Sequence, residues 1–339
     1  MNKIGTFVKS AGATALLIPL LWVASIGRYE PAEHWLADVY FVKERRADEV
    51  ESPKILIVSG SNSLFGFDSR TLGTLLGKPV VNLAGHAGLP LDFHIKMALR
   101  HANAGDTVIM PLEFGYYASE PEPTSWEAAN MQSWGASYVD WSLPTMVRYF
   151  HHSSFTSLID RILFRQIPRG AENTVLETVA RNSAGGIPEW LGYSYKSMDA
   201  YGDFFVRNGG PSFVGPAHYT TGTITAYSLD RLSDLNRRLA ARGAKLLLTW
   251  PVSIRNAAFD LTTTRDRNII TGMKEKIAAS DLTLICNARD FQYDRSLFLN
   301  TTYHLGDVGS ELRTKALADC LLNPKTLASR STDLVPASR

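Results

Sequence analysis

The chain has 339 residues, of which 45% are hydrophobic and 20% charged, and its formal net charge is +2. These values are typical of a globular protein and exclude a mainly disordered chain. The near-neutral charge, without a dense run of Lys and Arg, argues against nucleic acid as a partner. The two cysteines, Cys286 and Cys320, lie far apart, which excludes zinc modules and disulfide-framework folds. Two buried thiols are the favoured interpretation, and one disulfide is the alternative.

The N-terminal segment, residues 1–27, predicts a membrane anchor. Lys3 and Lys9 precede the uncharged, largely apolar run Ala11–Ile26, which is close to the roughly 20 residues that a spanning helix needs. Positive charge before the run favours a cytoplasmic N-terminus, so the chain after residue 27 would be exported. Trp22 suits the outer surface of the membrane. A cleaved signal peptide and a buried soluble helix are the alternatives.

Residues 28–53 are charged and helix-prone, which predicts a stalk. From residue 54 onwards, short apolar runs alternate with amphipathic segments, as is typical of buried parallel strands joined by helices. The predicted strands are Lys54–Val58, Pro79–Leu83, Asp106–Leu112, Lys245–Trp250 and Leu282–Cys286, and the predicted helices are Ser69–Leu76, Leu91–Ala102, Tyr227–Arg242, Asn268–Ala279 and Gly309–Leu322. Residues 54–322 therefore predict a doubly wound, flavodoxin-like α/β domain with its ligand site at the carboxyl ends of the strands.

Residues 114–213 interrupt this alternation. They are rich in Phe, Trp and Tyr but contain no clear buried strand, although Ser154–Arg165 has helical spacing. The segment is predicted to be an insertion, which either adds core at one edge of the sheet or forms a cap or partner surface over the site. The polar residues 323–339 are predicted to be disordered.

Two polar segments carry candidate catalytic chemistry. Ser61 lies in the small-residue turn Ser59–Gly66, between the first predicted strand and the first predicted helix. Such a turn can present a side chain and free backbone N–H groups at the top of the sheet, so Ser61 is a candidate nucleophile. His304 lies in the loop before the last helix, where it could act as general base for a serine hydroxyl.

These segments resemble the SGNH (GDSL-type) hydrolases. Within them, the resemblance is closest to the membrane-anchored bacterial branch that includes alginate-type polysaccharide O-acetyltransferases and the D-alanine transfer protein of teichoic acids. The resemblance covers about residues 54–322 and rests on Ile55–Asp68, Val81–Leu89, Gly105–Phe114 and Tyr303–Gly309. It implies Ser61 as nucleophile and His304 as base, with an oxyanion hole from the Ser61 N–H and a backbone N–H of Ala84–Gly85. His86 lies in the same turn.

Three of the family's blocks differ here from the usual pattern. The Gly-Asp-Ser opening is Ser59-Gly60-Ser61, and a shifted register would make Ser63 the nucleophile, although the spacing to Phe65-Gly66 favours Ser61. The usual glycine of the second block is Ala84, followed by Gly85. Glu113 stands where many members have an oxyanion Asn. Because a carboxylate donates only when it is protonated, Glu113 is expected to orient other groups.

The carboxylate expected three or four residues before the histidine is also missing. Thr301 and Asn300 occupy those positions, and Asn300 is the predicted third member of the site. An amide oxygen can accept a hydrogen bond from an imidazole N–H and fix its tautomer, but it stabilises the imidazolium less than a carboxylate does. Asp290 or Asp294 could substitute from a neighbouring turn.

The resemblance implies an extracytoplasmic enzyme at the bacterial inner membrane, with a single N-terminal spanning helix. Such an enzyme would transfer an O-acyl group, most often acetyl, to a cell-surface or secreted polysaccharide. The expected partners are the polysaccharide, a multi-spanning membrane O-acyltransferase and a polysaccharide synthase or export complex. No cofactor, metal or nucleic acid is expected. The alternatives are a carbohydrate esterase and a non-catalytic SGNH-like subunit of a polysaccharide modification or export complex.

Overall fold

The computed structural model of the protein describes residues 17–164, 166–185, 190–205, 217 and 220–323. The chain divides into two compact units. The helical unit contains the residues up to Ala37 together with Pro121–Arg169. The sheet unit contains Asp38–Glu120 and the chain from Gly170 onwards.

The sheet unit is built on a parallel sheet of four strands. These are β1 (Ile55–Ile57), β2 (Val80–Asn82), β3 (Thr107–Pro111) and β4 (Lys245–Thr249), in the order β2-β1-β3-β4. Nearly every strand residue is buried, as expected for continuous apolar runs in a sheet covered on both faces. The predicted α/β class with a parallel sheet is confirmed, and the strand order is consistent with a doubly wound fold.

The predicted fifth strand, Leu282–Cys286, is reduced to one parallel bridge between Leu248 and Leu284. The Ile285 N–H donates to the Leu248 carbonyl at 2.8 Å, so the segment lies beside β4. Asp281 and Cys286 both have positive φ, at 55° and 65°. Extended backbone needs negative φ, so these two residues limit the length of the strand. A second, small parallel sheet pairs β5 (Ser253–Ile254) with β6 (Gln292–Tyr293).

The helices lie close to their predicted positions, because polar side chains cap several of them. Asp68, Thr225 and Thr263 each accept a hydrogen bond from the first turn that follows, the usual role of an N-cap. The helices are α1 (Trp35–Glu49), α2 (Ser61–Leu64), α3 (Ser69–Leu76), α4 (Leu91–His101), α5 (Phe114–Tyr117), α6 (Ser125–Gln132), α7 (Leu143–His151), α8 (Phe155–Leu163), α9 (Glu172–Gly185), α10 (Ala226–Ala240), α11 (Thr264–Ala278) and α12 (Asp307–Leu322).

The segment predicted to be a stalk forms α1, and the part of this helix within the sheet unit is packed into the core. Tyr40 and Lys43 are each 1% exposed. The Tyr40 ring contacts Phe93 of α4 at 4.8 Å between centroids. The Lys43 Nζ donates to the backbone carbonyls of Asn82 and Gly202. The apolar contact therefore joins this part of α1 to α4, and a buried hydrogen bond joins it to the end of β2.

No helix among the described residues is long and apolar enough to cross a membrane. The predicted anchor is described only from residue 17, and residues 17–25 are helical. Trp22, predicted to lie at a membrane surface, is 2% exposed, and its indole N–H donates to Gln132 and Ser153. A buried Trp needs such partners for its one polar group, and the helical unit supplies them. The predicted disordered tail, apart from Asn323, lies outside the described residues.

Cys286 and Cys320 form a disulfide, with their Cα atoms 5.6 Å apart. This finding corrects the favoured interpretation of two buried thiols. Cys286 lies at the end of the bridge segment beside β4, and Cys320 lies on α12, which packs against the short 3₁₀ helix Ala288–Phe291. The closing helix brings the two residues together across a sequence separation of 34.

Loss of the disulfide should lower the free energy of unfolding by about 3–4 kcal/mol, because the cross-link restricts a long loop in the unfolded chain. Chemical denaturation with and without a reductant measures this difference. The double variant Cys286→Ser/Cys320→Ser should match the reduced wild type and be insensitive to the reductant. An unchanged midpoint for the reduced wild type would show that the cross-link contributes no stability.

Candidate functional site

The candidate site lies at the carboxyl ends of β1 and β3. The chain passes from β1 to β2 on one side of the sheet and then returns to β3 on the other. In open α/β sheets a crevice forms where the strand order reverses in this way. Ser61 begins α2 shortly after β1, and Glu113 follows β3. The topology therefore brings these two residues to one edge.

The Glu113 carboxylate holds the start of α2. Its Oε2 accepts from the Gly60 N–H at 3.2 Å, and its Oε1 accepts from the Asn62 N–H at 2.9 Å. Glu113 is 4% exposed. Burial raises its pKa, and the hydrogen bonds from Asn62 and Gly60 act in the opposite direction. Glu113 thus accepts from the backbone on both sides of Ser61 and fixes the turn that carries it.

The carbonyl groups of α2 are satisfied by donors from elsewhere in the chain. A helix of four residues is too short to be stable by itself. Three of its carbonyls accept from distant residues: Asn62 from Arg313 Nη1 at 2.6 Å, Ser63 from Asn82 Nδ2 at 2.8 Å, and Leu64 from the Phe204 N–H at 2.9 Å. Segments from β2, from the loop near residue 204 and from α12 therefore fix the position of α2.

Arg313 is the charged member of this set. It is 0% exposed, its guanidinium lies 4.1 Å from the centroid of the Phe67 ring, and burial lowers its pKa to about 9. It therefore stays cationic at neutral pH. A Cβ added at Gly66 would lie 2.2 Å from Arg313 Nη1 and 2.1 Å from the Asn62 carbonyl. Glycine at position 66 thus leaves the space through which Arg313 reaches α2.

Ser61 is available for chemistry and Ser63 is not. Ser61 is 8% exposed, and neither its hydroxyl nor its N–H is hydrogen-bonded to any described residue. Ser63 is 0% exposed, and its hydroxyl accepts from Ser59 Oγ at 2.6 Å. Of the two candidate nucleophiles, only Ser61 has a hydroxyl that is not already used inside the fold.

The Ala84–Gly85 turn does not offer the expected oxyanion donor. The Ala84 N–H donates to Asn82 Oδ1 at 2.9 Å, and the Gly85 N–H donates to the Ser59 carbonyl at 3.0 Å. Both groups are used to dock the turn onto the ends of β1 and β2. Of the N–H groups expected to form the oxyanion hole, only that of Ser61 has no hydrogen-bond partner among the described residues.

Asn300 and His304 lie on one tight turn. Phe298 and Leu305 form an antiparallel bridge, and the Leu299 N–H donates to the His304 carbonyl at 2.9 Å. This turn places the two site residues on the same side, where His304 Nδ1 and Asn300 Oδ1 are 2.9 Å apart.

Tyr193 orients Asn300. The Asn300 Nδ2 donates to the Tyr193 hydroxyl at 2.7 Å, which directs the amide oxygen towards His304. The His304 Nδ1 therefore carries the proton, and its Nε2 keeps the lone pair. Asp294, an alternative third member, is 73% exposed and is paired instead with Arg255 at 3.6 Å. Asp290 lies in the 3₁₀ helix Ala288–Phe291. Of the residues that the structure describes, only Asn300 is hydrogen-bonded to the His304 side chain.

His304 is held as a neutral base next to α2. It is 4% exposed, and burial together with the nearby His86 lowers its pKa to about 3. Its ring stacks on Phe65, the C-cap residue that follows α2, with centroids 4.1 Å apart. No hydrogen bond joins Ser61 to His304 within the described residues. Such contacts often form only when substrate is bound.

His86 is the second histidine near the site. Its Nδ1 accepts from the Gly88 N–H at 2.9 Å, so the neutral ring carries its proton on Nε2. Protonation of one imidazole disfavours protonation of the other, and His86 accordingly helps to keep His304 neutral. Within the described ranges, no group of three His, Cys, Asp or Glu side chains is arranged to hold a metal ion.

Several important residues were not predicted from the sequence. Tyr193 belongs to the predicted insertion 114–213, as does Trp190, whose ring lies 5.3 Å from Tyr193 and 5.7 Å from Phe65. The aromatic richness of this segment was the one signal that could have found them. Arg313 had no signal, because a single Arg on a surface-like helix pattern gives no indication that it is buried.

No protein-family model matches the chain, and no curated protein is similar to it in sequence. Among solved structures, the chain is similar to the protein YXIM of Bacillus subtilis, with a TM-score of 0.35 and 11% sequence identity. The similar region covers 81% of this chain and 58% of that protein. The chain thus spans less than two thirds of the length of YXIM.

The substitution Gly66→Ala should lower the free energy of unfolding by about 1–3 kcal/mol, because the new methyl group overlaps Arg313 and the Asn62 carbonyl. The matched control is Gly272→Ala in α11, where a Cβ meets no atom within 4 Å. There, alanine should raise stability by up to about 1 kcal/mol, because glycine is a poor helix former. Urea denaturation of both variants measures the two changes in the free energy of unfolding, which should have opposite signs. Equal stability of Gly66→Ala and wild type would contradict the close approach of Arg313.

Nitrogen-15 NMR of the imidazole ring should show His304 as the neutral Nδ1–H tautomer between about pH 8 and pH 5. Asn300→Asp should raise the pKa of His304, because a carboxylate beside Nδ1 stabilises the imidazolium. Tyr193→Phe should give a mixture of tautomers, because it removes the partner that orients the amide. The spectrum of His304→Gln assigns the resonance. A wild-type His304 that titrates near pH 6.5 would contradict this geometry.

Proposed function

We propose that the protein is an extracytoplasmic O-acyltransferase of SGNH type, which transfers an acyl group, acetyl as first candidate, to a cell-surface or secreted polysaccharide through an acyl-Ser61 intermediate. The observation that carries the proposal is the hydrogen-bonded series Tyr193–Asn300–His304. It presents a neutral imidazole beside the helix that begins with Ser61. A neutral base that a third group orients is one part of what nucleophilic catalysis by a serine hydroxyl requires.

In this mechanism Ser61 Oγ attacks the carbonyl carbon of an acyl ester while His304 Nε2 takes the hydroxyl proton. The oxyanion that forms accepts from the Ser61 N–H, and Asn300 Oδ1 stabilises the imidazolium at Nδ1. The ester C–O bond then breaks, and the leaving oxygen takes the proton from His304. A sugar hydroxyl next attacks acyl-Ser61 with His304 again as base, and Ser61 is released with its proton restored. Attack by water instead would make the protein a carbohydrate esterase.

The neutral third residue bears on the rate. In serine proteases, replacing the carboxylate of the triad by an amide lowers kcat by about 10⁴-fold. Here Tyr193 fixes the amide so that the productive tautomer is retained. The only loss of rate should therefore come from weaker stabilisation of the imidazolium, and we expect slow but measurable turnover.

A second candidate function is a non-catalytic subunit of a polysaccharide modification or export complex. It is favoured by the absence of a hydrogen bond between Ser61 and His304 in the described structure, and by the engaged N–H groups of Ala84 and Gly85. For either function we propose attachment to the inner membrane through residues 1–27, with the rest of the chain outside the cytoplasm. A multi-spanning membrane O-acyltransferase would supply the acyl group to an enzyme of this kind.

Ser61→Ala and His304→Ala should each lower kcat/KM for 4-nitrophenyl acetate by about 10³-fold or more, and the double variant should be no worse. The losses should not add, because once the nucleophile is absent the base has no proton to accept. Hydrolysis by the purified full chain and polysaccharide acylation in cells are the two measurements.

Ser63→Ala is the matched control. It removes the hydrogen bond from Ser59 and should lower stability by about 1 kcal/mol, with most of the activity kept. Normal turnover by a folded Ser61→Ala protein would contradict the catalytic mechanism and leave the subunit function. Loss of activity with Ser63→Ala alone, without unfolding, would move the nucleophile by two residues.

A further inference from the structure

The helical unit turns apolar side chains outward. Most of the exposed large apolar side chains among the described residues belong to it, although it is much the smaller unit. On α8, Phe155, Ile159 and Ile162 are 69%, 38% and 36% exposed. They follow one another at intervals of four and three residues, so they lie on one side of the helix.

The other two outer helices repeat the pattern. On α7, Leu143 and Val147 are four residues apart and 75% and 48% exposed. On the helix of residues 17–25, Leu17 and Leu20 are three residues apart and 54% and 66% exposed. Large contiguous apolar surfaces are unusual on soluble proteins and mark sites of interaction. We call the exposed apolar sides of these three helices the apolar face.

The inner sides of the same helices meet at Gln132. Its Oε1 accepts from Trp22 Nε1 at 2.9 Å and also from Arg161 Nη1, and its Nε2 donates to the Tyr149 carbonyl at 3.2 Å. Arg161, from α8, is 0% exposed and paired with Glu30 at 3.3 Å. The interior of the unit therefore holds a buried ion pair and its hydrogen bonds beside buried apolar side chains such as Trp22 and Leu158.

Exposed apolar surface is unfavourable in water by about 25 cal/mol per Å². At the hydrocarbon of a bilayer the same surface is favourable, and the polar and ionic groups are best placed inside, paired with one another. The helical unit meets both conditions.

Charge in the adjoining sequence identifies the type of bilayer. The helix of residues 17–25 lies in an uncharged run that extends from Ser10 to Gly27. Lys3, Lys9 and Arg28 flank this run, and no acidic residue precedes Glu30. Cationic residues beside an apolar helix bind the anionic headgroups of phospholipids.

We propose that the apolar face binds the surface of an anionic phospholipid bilayer, with residues 17–25, α7 and α8 lying in the interface. In this arrangement residues 17–25 lie along the membrane surface instead of crossing the bilayer. This contact holds the helical unit at the membrane through three helices instead of one. The proposal does not rest on the chemistry of Ser61, and the Ser61→Ala protein should bind in the same way.

Single cysteine labels test the proposal on the full chain. The native cysteines are joined in a disulfide, so an introduced cysteine is the only reactive thiol. Phe155→Cys and Ile162→Cys are labelled with an environment-sensitive fluorophore and mixed with vesicles of equal parts neutral and anionic phospholipid. Both labels should shift to shorter emission wavelength, and nitroxide groups on the lipid acyl chains should quench them. Vesicles of neutral lipid alone should give a smaller effect.

Leu75→Cys is the matched control, since Leu75 is an exposed leucine on α3 of the sheet unit. Its label should stay in an aqueous environment, and quenching there would reveal non-specific adsorption and overturn the proposal. Leu20→Cys reports on the N-terminal run. A quenched label at Leu20 with aqueous labels at Phe155 and Ile162 would mean that the N-terminal run alone enters the bilayer. A concentration-dependent shift of the Phe155 label without lipid would assign the face to a second copy of the chain, which also overturns the proposal.

Discussion

The candidate site depends on the hydrogen bonds that hold the four-residue helix α2. Glu113 accepts at its beginning, and Arg313 donates to a carbonyl on its other side. The carboxylate lies at the end where N–H groups are free and the guanidinium at the end where carbonyls are free, as the peptide dipoles favour. All of these groups are buried. Losing one would leave a buried partner unsatisfied, which costs about 1–3 kcal/mol or more when the group is charged. The position of Ser61 therefore depends on several segments that are distant in sequence.

A second buried network extends this support to α1. Asn82 Nδ2, which donates to the Ser63 carbonyl, also donates to Asp203 Oδ1 at 2.7 Å. Asp203 in turn accepts from the Ser69 N–H at the start of α3. The Lys43 Nζ donates to the Asn82 carbonyl at 2.7 Å. Burial lowers the pKa of Lys43 and raises that of Asp203, because water cannot stabilise either charge there. Buried charges persist when they are paired and hydrogen-bonded, and here those bonds fix α2 and α3.

The sequence predicts those features that depend on local pattern. Apolar runs predict β1 to β4 and apolar residues at helical spacing predict the helices that cover them, because both signals lie within one segment. Pairings between distant segments are not visible in this way. The Cys286–Cys320 disulfide, the Arg313 bond to α2 and the engaged N–H groups of the Ala84–Gly85 turn all depend on which segments the fold brings together. Asn300 and His304 are an intermediate case: their spacing of four suggests a contact, but the residue that orients the amide, Tyr193, lies more than 100 residues away in sequence.

The low pKa of His304 bears on the choice between enzyme and subunit. The lowered pKa means that forming the imidazolium costs more at this buried position than in water. That cost applies only while no negative charge is near. In the proposed mechanism, the oxyanion would form as the imidazole takes the proton from Ser61, and in a buried site the attraction between these opposite charges is much stronger than in water. The same burial that keeps the resting base neutral therefore favours the ion pair of the transition state. A subunit that only binds would need neither a fixed tautomer nor a residue to orient its amide, and this is why the Tyr193–Asn300–His304 series favours catalysis.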